Sequence, residues 1–136
     1  MRAVLDPNVA ISGAISPRGA PADVLRSLAS GEFELVASQA LLDELERALA
    51  YSKLRPYINE SDAADLVRWV ANSASVVVDP DADPSVHSRD PDDDYLISLA
   101  SAHRAGLVSG DKDLLTLDGE IPVFSPRAFL DLLASA

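Results

Sequence analysis

Five short apolar runs recur along this chain: RAVLD (2–6), FELVAS (33–38), SVVVD (75–79), GLVSGD (106–111) and IPVFS (121–125). Their apolar text is nearly continuous rather than alternating, the pattern of strands buried on both faces. Helical spacing fills the gaps. APADVLRSLASG (20–31) ends on Gly31, and SQALLDELERALAY (38–51) starts on Ser38 and carries Leu41, Leu42, Leu45 and Leu49 on one stripe. SDAADLVRWVANS (61–73) has Ser61 as its expected cap, a helix follows Pro91 over 92–105, and SPRAFLDLLASA (125–136) opens with Ser125 and Pro126. Strands alternating with helices predict an α/β fold, a parallel sheet covered on both faces. No repeat, low-complexity tract or boundary interrupts it, so 1–136 is expected to be a single domain.

The chain's 136 residues, 48% of them hydrophobic, suffice for one buried core. Asp and Glu outnumber Lys and Arg 22 to 11, and the net charge of -11 argues against a broad grip on phosphate backbones. The absence of Cys excludes a disulfide framework and thiolate metal sites. Asp6, Pro7 and Asn8 interrupt the opening apolar run too early for a signal peptide, and no stretch approaches the roughly 20 apolar residues of a membrane span. A cytoplasmic protein with no membrane contact is expected.

Carboxylates are the conspicuous chemistry. SRDPDDDYLISLASAHRAG (88–106) places Asp90, Asp92, Asp93 and Asp94 at a helix entrance. Unpaired N–H groups at that end accept one or two acids, and Pro91 suits the first turn. Four crowded carboxylates repel one another, and a cation is the usual remedy. In open parallel sheets ligands gather at the carboxyl ends of strands where strand order reverses. Asp6 closes the first run and Asp111 follows the fourth, so strands flanking the switch point would bring both acids to the same rim.

The residues that carry this pattern resemble the PIN-domain nucleases, in particular the VapC-like toxin components of toxin-antitoxin systems. The resemblance runs along essentially the whole chain: a strand into Asp6-Pro7-Asn8, where Asp-Thr-Asn is usual; Ser38 leading a helix with Glu44; RDPDDDYL; LVSGDKDL, close to LVTGDKDL; and the final IPVFSPRAFL. It implies a three-layer α/β/α sandwich with a central parallel sheet of five strands, Mg²⁺- or Mn²⁺-dependent ribonuclease activity, an RNA substrate, a cognate antitoxin and commonly a homodimer. By position, the four principal acids fall on Asp6, Glu44, Asp94 and Asp111, with Asp6, Asp94 and Asp111 as the metal ligands. Asn8, Ser109 and Asp113 are implied as supporting neighbours, and Asp92 and Asp93 as first-turn acids with accessory roles. Pro7 departs from the pattern by removing a hydroxyl and a backbone N–H.

Helical counting alone selects differently or not at all. The apolar side of Leu96, Leu99 and Ala100 lies closer to Asp92 and Asp93 than to Asp94, at about 100° per residue. Glu44 and Glu46 border the leucine stripe symmetrically, and only the resemblance prefers Glu44. Oxygen ligands without Cys or His clusters favour Mg²⁺ or Mn²⁺, while His87 and His103 are single. Without metal, at least one carboxyl is expected to have a raised pKa. Arg18, Arg89 and Lys112 are the candidate cations near the rim, although a solvated surface position is the preferred reading of each. Two other classes compete: a non-catalytic PIN scaffold that binds a basic protein through its acidic rim, and a phosphoryl-transfer receiver in which Asp79 accepts phosphate.

Overall fold

The structure is a computed structural model and describes residues 1–81 and 86–135. Five parallel strands, β1 (Arg2–Leu5), β2 (Glu34–Ser38), β3 (Ala74–Val77), β4 (Gly106–Val108) and β5 (Val123–Phe124), form one sheet in the order β3-β2-β1-β4-β5. The chain builds outward from β1 through β2 to β3, then returns to the other side of β1 for β4 and β5. The switch point therefore falls between β1 and β4, where Ala3, Val4 and Leu5 pair with Gly106, Leu107 and Val108.

The strands alternate their side chains between two cores. Ala3, Leu5, Leu35 and Val108 face one side, where α1 (Pro7–Ile15), α2 (Ala20–Ala29), α3 (Gln39–Leu49), α4 (Glu60–Ser73) and α7 (Pro126–Ser135) pack; Phe129 is fully buried there. Val4, Val36, Leu107 and Val123 face the other, against α5 (Asp94–Ala102) and α6 (Lys112–Leu115). This is the three-layer α/β/α sandwich with a parallel five-stranded sheet that the alternating runs predict.

Several local expectations differ. The helix expected from Ser61 begins earlier, because the Asn59 side chain accepts from the Asp62 N–H at 2.8 Å and is the cap. The helix expected over 92–105 is a 3-10 turn at Pro91–Asp93 followed by α5, and it stops before Arg104, whose φ of 52° is left-handed. Helices α1 and α6 were not marked by apolar spacing. Each starts directly after a strand-end acid, which caps it. Of the turn-rich loop read at 79–93, residues 82–85 lie outside the described part, as does Ala136 at the end of the last helix.

Asp79 follows β3, an edge strand, and its Oδ2 accepts from the Ala40 N–H at the start of α3, 3.1 Å away. A phospho-accepting Asp in a receiver fold needs the central sheet position, so the topology removes that reading. Among the described residues no helix is long and apolar enough to cross a membrane.

Helices α1 and α2 approach closely at Gly13. A Cβ there would stand 2.7 Å from Leu25 Cδ1 and 2.8 Å from the Pro21 carbonyl oxygen. Gly to Ala inside a helix usually stabilises by about 1 kcal/mol, but backbone cannot yield here. Gly13→Ala should instead destabilise by about 1–3 kcal/mol in urea denaturation. A gain in stability would show that the two helices are free to separate.

Candidate active site

Asp6 sits where β1 ends. Its N–H still pairs with the Val108 carbonyl at 2.9 Å, so the strand ladder reaches the acid itself. The carboxylate is buried: Oδ1 accepts from the Asn8 N–H at 3.0 Å and caps α1, and Oδ2 accepts from the Ser109 hydroxyl at 2.8 Å. Pro7 occupies the first helical position, where a backbone N–H has no intrahelical partner, so it forfeits no helix bond. Burial pushes the Asp6 carboxyl above its usual range; the bonds from Asn8 and Ser109 oppose this, and the charges of Asp111 and Glu44 add to it.

Ser109 is fully buried and acts twice, donating to Asp6 and accepting from the Asp111 N–H at 3.0 Å. Asp111 in turn caps α6 through a bond from the Asp113 N–H at 2.9 Å. One hydroxyl thus fixes two acids from neighbouring strands. Asp113 contributes its backbone, and its side chain does not reach the cleft lining.

These acids open into a cleft of about 820 Å³ bordered by Asp6, Asn8, Glu44, Asp92, Asp93 and Asp111, together with Asp43, Asp90, Arg47, Tyr51 and Tyr95. The carboxylates come from separate elements: the end of β1, helix α3, the 3-10 turn before α5, and the start of α6. The structure selects Glu44 over Glu46, which lines a different groove between α3 and α4. Glu44 is paired with Arg47 at 3.0 Å.

Asp94 does not join them, and this corrects the placement that the resemblance implied. Its Oδ2 stands 2.8 Å from His87 Nδ1 and its Oδ1 accepts from the Ser88 N–H at 2.8 Å, so the side chain ties the preceding loop to α5. Burial alone would raise its pKa, but the bonds from His87 and Ser88 outweigh that and lower it. Asp93 takes the cleft position instead. Its Oδ2 is buried without a partner, and its pKa is raised to about 7 by burial and then by the charges of Asp6, Asp111 and Asp90. Asp90 caps the 3-10 turn, accepting from the Asp92 N–H at 3.0 Å.

Among the described residues, Arg18, Arg89 and Lys112 do not line the cleft, and Arg47 is the one cation that does. Arg47, Tyr51 and Tyr95 were not singled out for the site from the sequence. The i, i+3 spacing from Glu44 to Arg47 was the available signal. The Tyr95 hydroxyl is buried without a partner, and its pKa is raised by burial and by Glu44, Asp6 and Asp93.

The donor set is all oxygen, and an orphaned buried carboxylate oxygen on Asp93 faces other acids, so the residues fit a hard divalent cation. Among the described residues, no three His, Cys, Asp or Glu side chains are already arranged as a metal site.

Comparison with known proteins identifies the family and the fold. A PIN-domain family profile matches residues 2–113, and the chain belongs to the PIN-domain family. PIN domains are generally nucleases and generally use divalent metal ions. An uncharacterized protein of Methanocaldococcus jannaschii, MJ1680, is 31% identical over 120 residues, covering 88% of this chain and 77% of the relative. Two solved structures share the fold. VapBC2 from Rickettsia felis, bound to a DNA fragment from its promoter, superposes with a TM-score of 0.64 at 13% identity over 92% of this chain and 98% of that one. PAE2754 from Pyrobaculum aerophilum gives 0.63 at 16% identity, over 100% and 91%.

Asp93 carries a proton in the folded chain up to about pH 7, and in the unfolded chain only below about pH 4. Between those values the unfolded state binds fewer protons, so this group's contribution to stability falls as pH rises. In EDTA at pH 8, Asp93→Asn should therefore melt about 2–5 °C above the parent, with the gap closing below pH 4. A gap independent of pH, read by differential scanning fluorimetry, would contradict the raised pKa of Asp93.

Proposed function

We propose that the protein is a Mg²⁺- or Mn²⁺-dependent endoribonuclease that hydrolyses phosphodiester bonds in RNA, and that it is the cytoplasmic toxin of a toxin-antitoxin pair. The observation that carries this reading is the convergence of Asp6, Asp93 and Asp111 from three elements onto one cleft, with Glu44 on a fourth. Asp93's raised pKa marks negative charge that the protein itself leaves uncompensated.

Asp6, Asp93 and Asp111 would hold the ion. Bound there, it would supply positive charge that favours deprotonation of a water and stabilises charge developing on the phosphate. The chain's own groups do the rest. Ser109 keeps Asp6 and Asp111 in register through its two hydrogen bonds. Glu44, with Oε2 paired to Arg47, takes the proton of the attacking water on its other oxygen. The water's oxygen bonds to phosphorus as the P–O bond to the leaving ribose oxygen breaks. Arg47 also offers the scissile phosphate a positive neighbour in a cleft whose other charged lining residues are acids. Asn8, at the exposed mouth, and Asp92 contact the substrate or its water, and Asp113 acts through its bond to Asp111.

The fold shared with VapBC2 supports the antitoxin pairing. So does the charge: seven carboxylates (Asp6, Asp43, Glu44, Asp90, Asp92, Asp93 and Asp111) around one cleft suit a basic inhibitory segment. A homodimer completes this proposal.

The test is cleavage of end-labelled single-stranded RNA by the purified, antitoxin-free protein in Mg²⁺, Mn²⁺ or EDTA, beside Asp111→Asn. Cleavage should require metal and fall at least about 100-fold in the variant. Metal-independent cleavage, or full activity in Asp111→Asn, would contradict the reading.

A further inference from the structure

Residues 47–59 contain Arg47, Lys53 and Arg55 and no acid, in a chain that elsewhere carries 22 acids against 8 basic residues. This segment leaves the end of α3 and makes the turn into α4, with a 3-10 helix at Ser52–Leu54. The turn also holds the two exposed aromatic side chains, Tyr51 at 56% and Tyr57 at 69% exposure. The other rings, Phe33, Trp69, Tyr95, Phe124 and Phe129, are buried or half-buried.

The turn is built rather than slack. Arg55 donates to the Leu49 carbonyl at the end of α3, Leu54 N–H donates to the Tyr51 carbonyl at 3.0 Å, and Ile58, which is buried, donates to Leu54 at 2.9 Å. Tyr51 is thus held in the open on a fixed backbone, where core burial gives no reason for a ring. The Lys53 ammonium lies 5.6 Å from the Tyr51 ring centroid. Glu44, Arg47 and Tyr51, spaced at i, i+3 and i+7, all line the acidic cleft and trace a path from the acids to the turn.

A ring beside an ammonium matches the two parts of a nucleotide, because any base offers a π-face for stacking and each phosphate seeks a cation. The net charge of -11 repels a polyanion, and this acid-free stretch favours the approach of a strand. We propose that Tyr51, with Lys53 and Arg47 beside it, is a stacking platform for an unpaired nucleotide of single-stranded RNA entering the cleft. The proposal rests on the nuclease reading, and it assigns strand recognition to one lip of the site.

The test titrates a short single-stranded RNA carrying 2-aminopurine with the parent protein, Tyr51→Phe, Tyr51→Ala and Lys53→Gln, with Ca²⁺ replacing Mg²⁺. Cleavage in Mg²⁺ and sedimentation are measured in parallel. The parent and Tyr51→Phe should quench the fluorophore and bind within about twofold of each other, while Tyr51→Ala should lose the quench and bind about 5- to 100-fold more weakly. Lys53→Gln should reduce the slope of log K against log salt by about 1. If the parent cleaves RNA but Tyr51→Ala binds and quenches equally, the platform is wrong and the nuclease reading stands. If the parent neither binds nor cleaves, both fall. A Tyr51→Ala change that splits a dimer, with RNA binding unaltered, would reassign the lip to contact between copies and overturn the proposal.

Discussion

The hydroxyl of Ser109, buried between two strand ends, joins the structure to its chemistry. It donates to Asp6 at 2.8 Å and accepts from the Asp111 N–H at 3.0 Å, which locks the exits of β1 and β4 together. Those strands flank the point where sheet order reverses, so neither exit is covered by a crossover. The two acids then cap the helices that follow them, α1 and α6. Each carboxylate therefore spends an oxygen on positioning. The backbone geometry that ends the strands also aims the acids into the cleft.

That arrangement concentrates negative charge where the fold cannot neutralise it. Asp6 is buried, burial and then the charges of Asp6 and Asp111 raise the pKa of Asp93 to about 7, and the Asp93 Oδ2 and Tyr95 hydroxyl both lack partners. Unpaired buried polar groups cost of the order of 1–3 kcal/mol each. A divalent cation answers the carboxylates' repulsion directly. On the proposed function, a bound ion would recover that stability, which would couple metal binding to folding.

Much of this was legible in the amino-acid order. Short apolar runs alternating with helical patterns fixed the parallel sheet, and Asp6 and Asp111 at two strand ends anticipated the rim. Three consecutive aspartates at 92–94 are where reading by likeness slipped. Identical letters carry no register, so matching the RDPDDD motif could not distinguish Asp93 from Asp94. The phase of Leu96, Leu99 and Ala100 did favour the earlier acids. What settled the matter physically was the capture of Asp94 by His87 and Ser88, a tertiary contact absent from any local pattern. Glu44 and Glu46 were symmetric about the leucine stripe for a similar reason. Only the packing of α4 beside α3 turns Glu46 toward a different groove. Arg47 and Tyr51 were hidden because their value lies in facing the cleft, and the local sequence alone does not fix that orientation.

On the proposed function, Asp93 and not Asp94 would belong to the ion-binding group. Calorimetric titration of Mn²⁺ into the metal-free parent, Asp93→Asn and Asp94→Asn tests it without requiring a substrate. The account predicts at least about a tenfold loss of affinity in Asp93→Asn and a change within about threefold in Asp94→Asn. Retained affinity in Asp93→Asn with loss in Asp94→Asn would contradict it.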